Sequence, residues 1–221
     1  MAAALLCAGL QQANAAILAN YTFNSRNGTS SDTDATSTAG TFSAVGITSS
    51  YNNPNFVTGD TIAIRAATST MPTALNTADY YHFTIAPTTG NRLNLSGTSA
   101  LTIQYARSSA TAWTFSWAVR SSLDNYGADI ASGSVTTASS WQNASINLGP
   151  SFNNQSGTVE YRIYVWDGGQ NNTLRYGYLD NVVLNGSVTP VPEPINVALG
   201  VFGFCAVVVG VGRRVYARAR S

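Results

Sequence analysis

The sequence predicts an all-β fold, a two-sheet antiparallel sandwich of the jelly-roll type, over residues 17–188. Short alternating or β-branched runs recur through this region, and Gly, Asn, Ser and Pro separate them. No stretch within it shows the 3.6-residue periodicity of an amphipathic helix. About eight to ten strands at this spacing are typical of two packed antiparallel sheets.

The predicted strands follow from these runs. They cover residues 17–23, 41–48, 61–66, 80–86, 100–107, 112–120, 128–135, 141–148, 158–166 and 174–187. The last of them is expected to contain a break or bulge near Gly177. Residues 24–40 are so hydrophilic that we expect a polar loop there.

Alternation along a strand separates the two faces of a sheet. It predicts that three sets of side chains point into the core: Trp113, Phe115, Trp117 and Val119; Tyr81, Phe83 and Ile85; Val159, Tyr161, Ile163 and Val165. The same alternation turns two other sets outward: Tyr80 and His82; Glu160, Arg162, Tyr164 and Trp166.

Charge is scarce in this chain of 221 residues. Only 10% of them are Asp, Glu, Lys or Arg, and all 11 basic residues are Arg. The formal net charge is +1, and four of the arginines lie in the last nine residues, so the middle of the chain is mildly acidic. This composition argues against a nucleic-acid-binding protein, a coiled coil or a multi-pass membrane protein.

The N-terminal segment, residues 1–16, has the features of a secretory signal peptide. An apolar run precedes Ala13 and Ala15, which give the small-x-small pattern that signal peptidase cleaves. The usual basic n-region is missing, which indicates that the true start codon lies upstream. Cys7 follows Leu6 rather than a small residue, so we interpret it as incidental and not as a lipidation site.

The C-terminal segment predicts a membrane anchor. Residues 195–212 are apolar except for Asn196 and would span roughly 27 Å as a helix, enough to cross a bilayer core. The tail of residues 213–221 carries Arg213, Arg214, Arg218 and Arg220. By the positive-inside bias this tail is cytoplasmic, and the bulk of the chain lies outside the membrane.

Pro192, Glu193 and Pro194 stand in the linker of residues 189–194, directly before this apolar segment. A Pro-Glu-Pro motif, a membrane helix and an Arg-rich tail in this order resemble the PEP-CTERM sorting signal. The resemblance implies processing near the motif by exosortase, a membrane enzyme of Gram-negative bacteria. It also implies export to the cell surface or to an extracellular matrix containing exopolysaccharide. The alternative is a plain C-terminal anchor that follows a Pro-rich stalk.

The outward row of the strand at 158–166 is the candidate binding site. Arg162, Tyr164 and Trp166 would project side by side from the sheet. Aromatic rings offer apolar faces to sugar C–H groups, and Arg donates hydrogen bonds to hydroxyls. The alternative is that Trp166 packs under a loop or that the rings cover a sheet edge. His82 is predicted to be a surface residue rather than a ligand.

A second resemblance rests on residues 178–186, YLDNVVLNG. They are similar to the closing strand of carbohydrate-binding jelly rolls, in some of which the equivalent of Asp180 holds a structural Ca²⁺ against the first strand. Here the first strand offers Asn24 where an acidic residue would be expected.

Few catalytic groups are left in the domain once the two end segments are removed. It keeps one His, one Glu and no Cys, since Cys7 and Cys205 lie in those segments. A Ser-His-Asp triad would have to use His82, and no nucleophile-elbow motif accompanies it. The carboxylates available for a glycosidase pair, Asp124, Asp129, Glu160 and Asp167, cannot be paired from sequence.

We therefore expect no enzyme, no catalytic residue and no cofactor apart from the possible Ca²⁺. The first hypothesis is an exported matrix or surface protein with a structural sandwich. The second is a lectin-like module that binds exopolysaccharide through one sheet face, and a glycoside hydrolase is a minor third.

Overall fold

A computed structural model of the chain describes residues 15–32, 34–54, 62–67, 70–108, 112–168 and 175–191. These residues form thirteen strands and two short 3₁₀ helices. The strands of the first half are β1 (Ala16–Tyr21), β2 (Ser37–Ala39), β3 (Ser43–Val45), β4 (Ser49–Asn52), β5 (Ala63–Ala67), β6 (Tyr80–Pro87), β7 (Asn91–Asn94) and β8 (Gly97–Arg107). Those of the second half are β9 (Phe115–Ser121), β10 (Ala131–Val135), β11 (Gln142–Leu148), β12 (Val159–Trp166) and β13 (Tyr176–Pro190). The 3₁₀ helices are η1 (Ser122–Asp124) and η2 (Pro150–Phe152).

The described strands form two sheets. The seven-stranded sheet has the order β11-β8-β13-β5-β4, and β1 and β7 also pair with β13. The six-stranded sheet has the order β10-β9-β12-β6-β2, and β3 also pairs with β6. The ladders within both sheets are antiparallel. The predicted all-β fold with two antiparallel sheets is confirmed.

β13 organises the seven-stranded sheet. One of its edges pairs with β8, while the other pairs first with β5 and then with β1. Its register against β8 shifts between Asp180 and Val183, where Asn181 has a φ of 43°. The bulge expected near Gly177 is therefore wrong in position, because the ladder is regular at Gly177 and the irregularity lies at Asn181.

The core lies between the two sheets and is rich in aromatic rings. Every residue that alternation predicted to point inward is at most 4% exposed. The ring of Phe83 stacks on Tyr161 at 5.2 Å, and Tyr161 stacks in turn on Phe152 at 6.0 Å. Each such ring removes a large apolar area from water, and the described core residues contain no disulfide that could share the stabilisation.

Three short strands were not predicted: β2, β4 and β7. β2 lies within the segment 24–40 that we expected to be a polar loop, and Ser37 in it is buried. Gly28, in the same segment, accepts a 2.7 Å hydrogen bond at its carbonyl oxygen from the backbone N–H of Phe42. Strands of three or four mostly polar residues are too short to show a hydrophobic pattern. Their position is set by the strand with which they pair.

The predicted end segments lie mostly outside the described residues. By compactness the chain divides into residues 1–189 and 190–221, and of the second unit only Pro190 and Val191 are described. Cys7, Ala13, the Pro-Glu-Pro motif, the apolar segment and the Arg-rich tail all fall outside; Ala15 is described and exposed. Within the described ranges, no helix is long and apolar enough to span a bilayer.

Candidate functional site

The outer face of the six-stranded sheet carries polar and aromatic side chains from four strands. Residues opposite each other in neighbouring antiparallel strands lie side by side on one face. One such row across β9, β12, β6 and β3 consists of Arg120, Arg162, His82 and Ser43. The next row consists of Ala118, Tyr164, Tyr80 and Val45. The polar and aromatic side chains of this face, together with Tyr126 from a neighbouring turn, form the outer platform: Ser43, Tyr80, His82, Arg120, Tyr126, Glu160, Arg162, Tyr164 and Trp166.

Glu160 connects the polar members of the outer platform. Its Oε1 accepts a 2.8 Å hydrogen bond from Nε of Arg162 and lies 3.6 Å from Nδ1 of His82. On the other side of the imidazole, Nε2 lies 2.8 Å from Oγ of Ser43. The side chains of His82, Glu160 and Arg162 are 29%, 24% and 23% exposed, so this network is partly buried and still reaches solvent.

Arg162 is held between two aromatic rings. Its Cζ lies 4.3 Å from the centre of the Tyr80 ring and 3.6 Å from the centre of the Tyr126 ring. Tyr126 reaches the face because the chain reverses after η1, where Asn125 and Tyr126 have φ values of 57° and 59°. Burial alone would lower the pKa of Arg162, but hydrogen bonds to Glu160 and Tyr164 raise it overall. The guanidinium therefore stays charged, and cation–π contacts fix its position.

Arg120 fixes the turn that carries Tyr126. Its Nε donates a 2.6 Å hydrogen bond to Oδ1 of Asp129, and its Nη1 donates to the carbonyl oxygen of Tyr126 at 3.1 Å. Its Cζ also lies 5.3 Å from the centre of the Tyr164 ring. Arg120 thus joins the turn to the sheet and covers Tyr164.

The three predicted binding residues lie on this face, but they are not equally accessible. Arg162 and Trp166 are half-buried, and Trp166 is opposite Ser116 at the end of β12. Tyr164 is only 1% exposed, so the expectation that its ring is presented to a ligand is wrong. Tyr80 contacts it edge-on at 5.7 Å, and Arg120 lies over it. Alternation identified the face of the sheet, but not the side chains that cover it.

Sequence reasoning did not assign Tyr80, Ser43, Arg120 or Tyr126 to the site. Alternation predicts that Tyr80 points outward, and its strand β6 pairs with β12, which carries Arg162. Knowledge of the pairing register of these two strands would have been enough to place Tyr80 in the site. Ser43 and Arg120 needed the strand order, which no local pattern gives. Tyr126 lies in a turn and carries no signal in the sequence.

The face does contain a serine, a histidine and a carboxylate in line. Ser43 is directly opposite His82 in the β3–β6 ladder, so their contact follows from the register. Ser43 lies inside a strand rather than on the sharp exposed turn of a nucleophile elbow. Glu160 of the outer platform and Asp129 beside it are each paired with an arginine.

Asp180 lies at the bulge of β13 and is 2% exposed. Its Oδ1 accepts a 2.7 Å hydrogen bond from the backbone N–H of Asn181. Burial raises the pKa of Asp180 to about 7, and the hydrogen bond from Asn181 offsets only part of that effect. A raised pKa of this kind means that the charged form of Asp180 is poorly solvated, so that burial favours the protonated carboxyl group.

These surroundings do not fit the expected Ca²⁺ site. Oδ1 of Asn24 accepts a hydrogen bond from the N–H of Ile62 at 3.4 Å, so Asn24 and Asp180 both face N–H donors. Ca²⁺ takes roughly six to eight oxygen ligands. In the part of the chain that the structure describes, no three His, Cys, Asp or Glu residues cluster to hold a metal. The calcium ion stays a prediction, and no function is derived from it.

Comparison with known proteins yields similarities in structure only. No protein-family model matches the chain, and no curated protein matches it. Among solved structures, the C-terminal family 22 carbohydrate-binding module of Clostridium thermocellum Xyn10B is 12% identical, with 78% of this chain and 95% of that chain covered and a TM-score of 0.36. The CBM22-1 xylan-binding domain of Paenibacillus barcinonensis Xyn10C is 11% identical, with 79% and 97% covered and a TM-score of 0.41.

A third solved structure is TmCBM61 in complex with beta-1,4-galactotriose. It is 12% identical, with 77% of this chain and 98% of that chain covered and a TM-score of 0.34. Identities and TM-scores of this size carry no inference about function.

Proposed function

We propose that the sandwich is a non-catalytic module that binds a carbohydrate, most simply an exopolysaccharide, on its outer platform. The observation that supports the proposal is the fixed position of Arg162, held by Glu160 and by the rings of Tyr80 and Tyr126. A side chain that has already lost its conformational freedom pays less entropy when it binds a ligand.

The chemistry of the outer platform suits a sugar. Trp166 and Tyr80 are half-buried and can pack against the apolar C–H face of a pyranose ring. His82, Glu160 and Arg162 provide donors and acceptors for hydroxyl groups, and the charged ones form the stronger hydrogen bonds. Arg120 and Arg162 are balanced by Asp129 and Glu160, so the face has no strong charge and suits a largely neutral glycan.

A second candidate function is a purely structural matrix domain. The burial of Tyr164 favours it, because this ring and its neighbours satisfy one another without a ligand. The two candidates differ in whether the half-buried rings contribute to binding or only to stability.

Trp166→Ala distinguishes them. We expect at least about a tenfold loss of affinity for the polysaccharide that the wild-type protein binds, since Trp is enriched among the residues whose truncation costs about 2 kcal/mol or more at an interface. The full-length chain in mild detergent is screened on a glycan array and by polysaccharide pull-down, with and without Ca²⁺. Because Trp166 is only half-buried, the melting temperature of the Trp166→Ala protein should be lower than that of wild type by no more than about 4 °C.

Trp141→Ala is the matched control. Trp141 is also half-buried but packs near Tyr178 of the other sheet, at a ring distance of 6.5 Å, and its replacement should leave binding unchanged. Tyr80→Ala should reproduce the loss. A Trp166→Ala protein that binds like wild type, or a folded wild type that binds no glycan, would leave the structural matrix domain as the function.

The proposal for export rests on the sequence alone. The signal peptide, the Pro-Glu-Pro motif and the apolar segment would send the chain out of the cytoplasm, and exosortase would process it near Pro192–Pro194. Glu193→Ala should then leave an unprocessed precursor in the membrane, seen by immunoblotting of fractionated cells. Pro190→Ala, outside the tripeptide, should mature normally. Normal maturation of the Glu193→Ala chain would show that the tripeptide is not a sorting signal.

A further inference from the structure

Two arginines face the space between the sheets at one end of the sandwich. Leu179 of β13 is opposite Tyr105 of β8, and both belong to the core. Two residues further along each strand, Gly177 is opposite Arg107, so Arg107 is on the same inward face. Continuing the alternation places Arg175 inward as well. Arg107 is 4% exposed and Arg175 is 6% exposed.

The guanidinium of Arg107 is bound by carbonyl oxygens. Its Nε donates to the carbonyl oxygen of Thr136 at 2.8 Å, and its Nη2 donates to the same oxygen. Its Nη1 donates to the carbonyl oxygen of Ser108 at 3.4 Å. Its Cζ lies 5.7 Å from the centre of the Trp113 ring.

Ser108 and Tyr176 are joined by two hydrogen bonds of 2.8 Å, which bring Arg107 and Arg175, their neighbours in the chain, to the same end of the sheet. Burial, and then the positive charge of Arg175, lower the pKa of Arg107.

The guanidinium of Arg175 is not satisfied. Its Nε and Nη1 are buried and have no hydrogen-bond partner. No ion pair joins Arg175 to a carboxylate among the described residues. A buried cation without a partner is costly, and each unmade hydrogen bond to a charged group costs more than a neutral one.

A cavity opens at the same end of the sandwich. It has a volume of about 260 Å³ and is lined by Ala112, Trp113, Thr114, Thr136 and Gly168. Its wall thus includes Thr136, which binds Arg107, and the indole that Arg107 approaches. Among the described residues at this end, Asp167 is also charged, faces inward and is fully buried. The formal charges of Arg107, Arg175 and Asp167 sum to +1.

We propose that this end of the sandwich is an oxyanion-binding pocket, in which Arg175 binds the carboxylate of a uronic-acid residue in an acidic saccharide and the positive charge of Arg107 adds to the attraction. Arg presents a planar fork of donors that matches a carboxylate. The hydroxyls of Thr114 and Thr136 and the indole of Trp113 suit the sugar ring that carries it. The pocket is formed by residues outside the outer platform, so it adds a second, acid-specific site to the proposed carbohydrate-binding function.

Binding of sodium glucuronate to the full-length chain in detergent tests the proposal. Titration calorimetry at constant ionic strength should show saturable binding of glucuronate and none of glucose at the same concentration. Arg175→Met should weaken glucuronate binding at least tenfold. Its melting temperature without ligand should stay equal or rise, because an unpaired buried charge has been replaced by an apolar side chain of similar length.

Two further variants make the result specific. Arg175→Lys keeps the charge and loses the fork, so it should bind glucuronate more weakly than wild type and more tightly than Arg175→Met. Arg92→Met removes an exposed arginine and should change nothing. Trp166→Ala should keep glucuronate binding, which separates this pocket from the outer platform.

The proposal is overturned if glucuronate does not bind at all, or if Arg175→Met binds it as tightly as wild type. It is also overturned if Arg92→Met weakens binding as much as Arg175→Met does, since the effect would then be one of net charge. If Trp166→Ala binds neutral glycans as tightly as wild type does, only the proposed binding role of the outer platform is overturned.

Discussion

Gly177→Ala should lower the free energy of unfolding by about 3 kcal/mol or more, because overpacking of this severity lies at the upper end of measured effects. A Cβ at Gly177 would lie 2.2 Å from Cε2 and 2.4 Å from Cδ2 of Phe115. Gly177 is paired on both sides, with Ala66 and with Arg107, so its strand cannot move away. The Phe115 ring is 1% exposed and packs 6.2 Å from Trp113, so it cannot yield either.

Thermal and urea unfolding measure this effect. For a domain of this size the loss corresponds to a drop in melting temperature of roughly 6–12 °C. Gly149→Ala is the matched control, because no atom lies within 4 Å of its added Cβ and its φ is −76°. Phe115→Leu should rescue part of the loss in the double variant, since the two side chains compete for one space. A Gly177→Ala protein as stable as wild type would mean that the sheets do not pack as described.

Asp180→Asn should stabilise the protein at neutral and alkaline pH. Burial raises the pKa of Asp180 to about 7, above its ordinary value of 3.8, so the folded state holds a proton that the unfolded state has lost. The stability linked to this group is fully present below pH 4 and is lost as the pH rises to about 7. Above pH 7 the folded protein has to bury the carboxylate.

The raised pKa of Asp180 determines how the stabilities of wild type and Asp180→Asn should differ with pH. Asp180→Asn should match wild type near pH 4 and exceed its free energy of unfolding by about 2 kcal/mol or more at pH 8, since burial raises the pKa of Asp180 from 3.8 to about 7. Urea denaturation in EGTA from pH 4 to pH 8 measures it, and Asp32→Asn, at a half-buried acidic residue outside the outer platform, controls for the loss of one acidic charge. Equal pH dependence of wild type and Asp180→Asn would contradict the expectation. Ca²⁺ that stabilises wild type and not Asp180→Asn would support the calcium ligand implied by the sequence resemblance.

Much of the fold could be predicted because its strands bury one face. The strands around Phe83, Phe115 and Tyr161 were placed to within a few residues, since period-two alternation directly records which side chains meet the core. β2, β4 and β7 could not be predicted. They are three or four residues long and mostly polar, and the hydrogen bonds that define them come from a partner strand.

The candidate site was predicted in part. Arg162 and Trp166 lie on the predicted outer face of β12, whereas Tyr164 is covered by its neighbours. Tyr126, which holds Arg162, depends on two residues with positive φ in a turn that no hydrophobic pattern marks. Local patterns tell which face a residue occupies, but not what folds over that face.

The sequence by itself determined that the middle of this chain is all-β, which side chains form its core and which strand carries an outward row of Arg and aromatic residues. These properties are local, because they depend on the alternation of side chains along one strand. Only the tertiary structure decided the strand order, the sharing of Glu160 by Arg162 and His82, and the pair of Arg107 and Arg175 at the end of the sandwich. These properties join residues that are distant in sequence. Their contacts depend on which strands are neighbours and in which register, and no stretch of the chain contains that information alone.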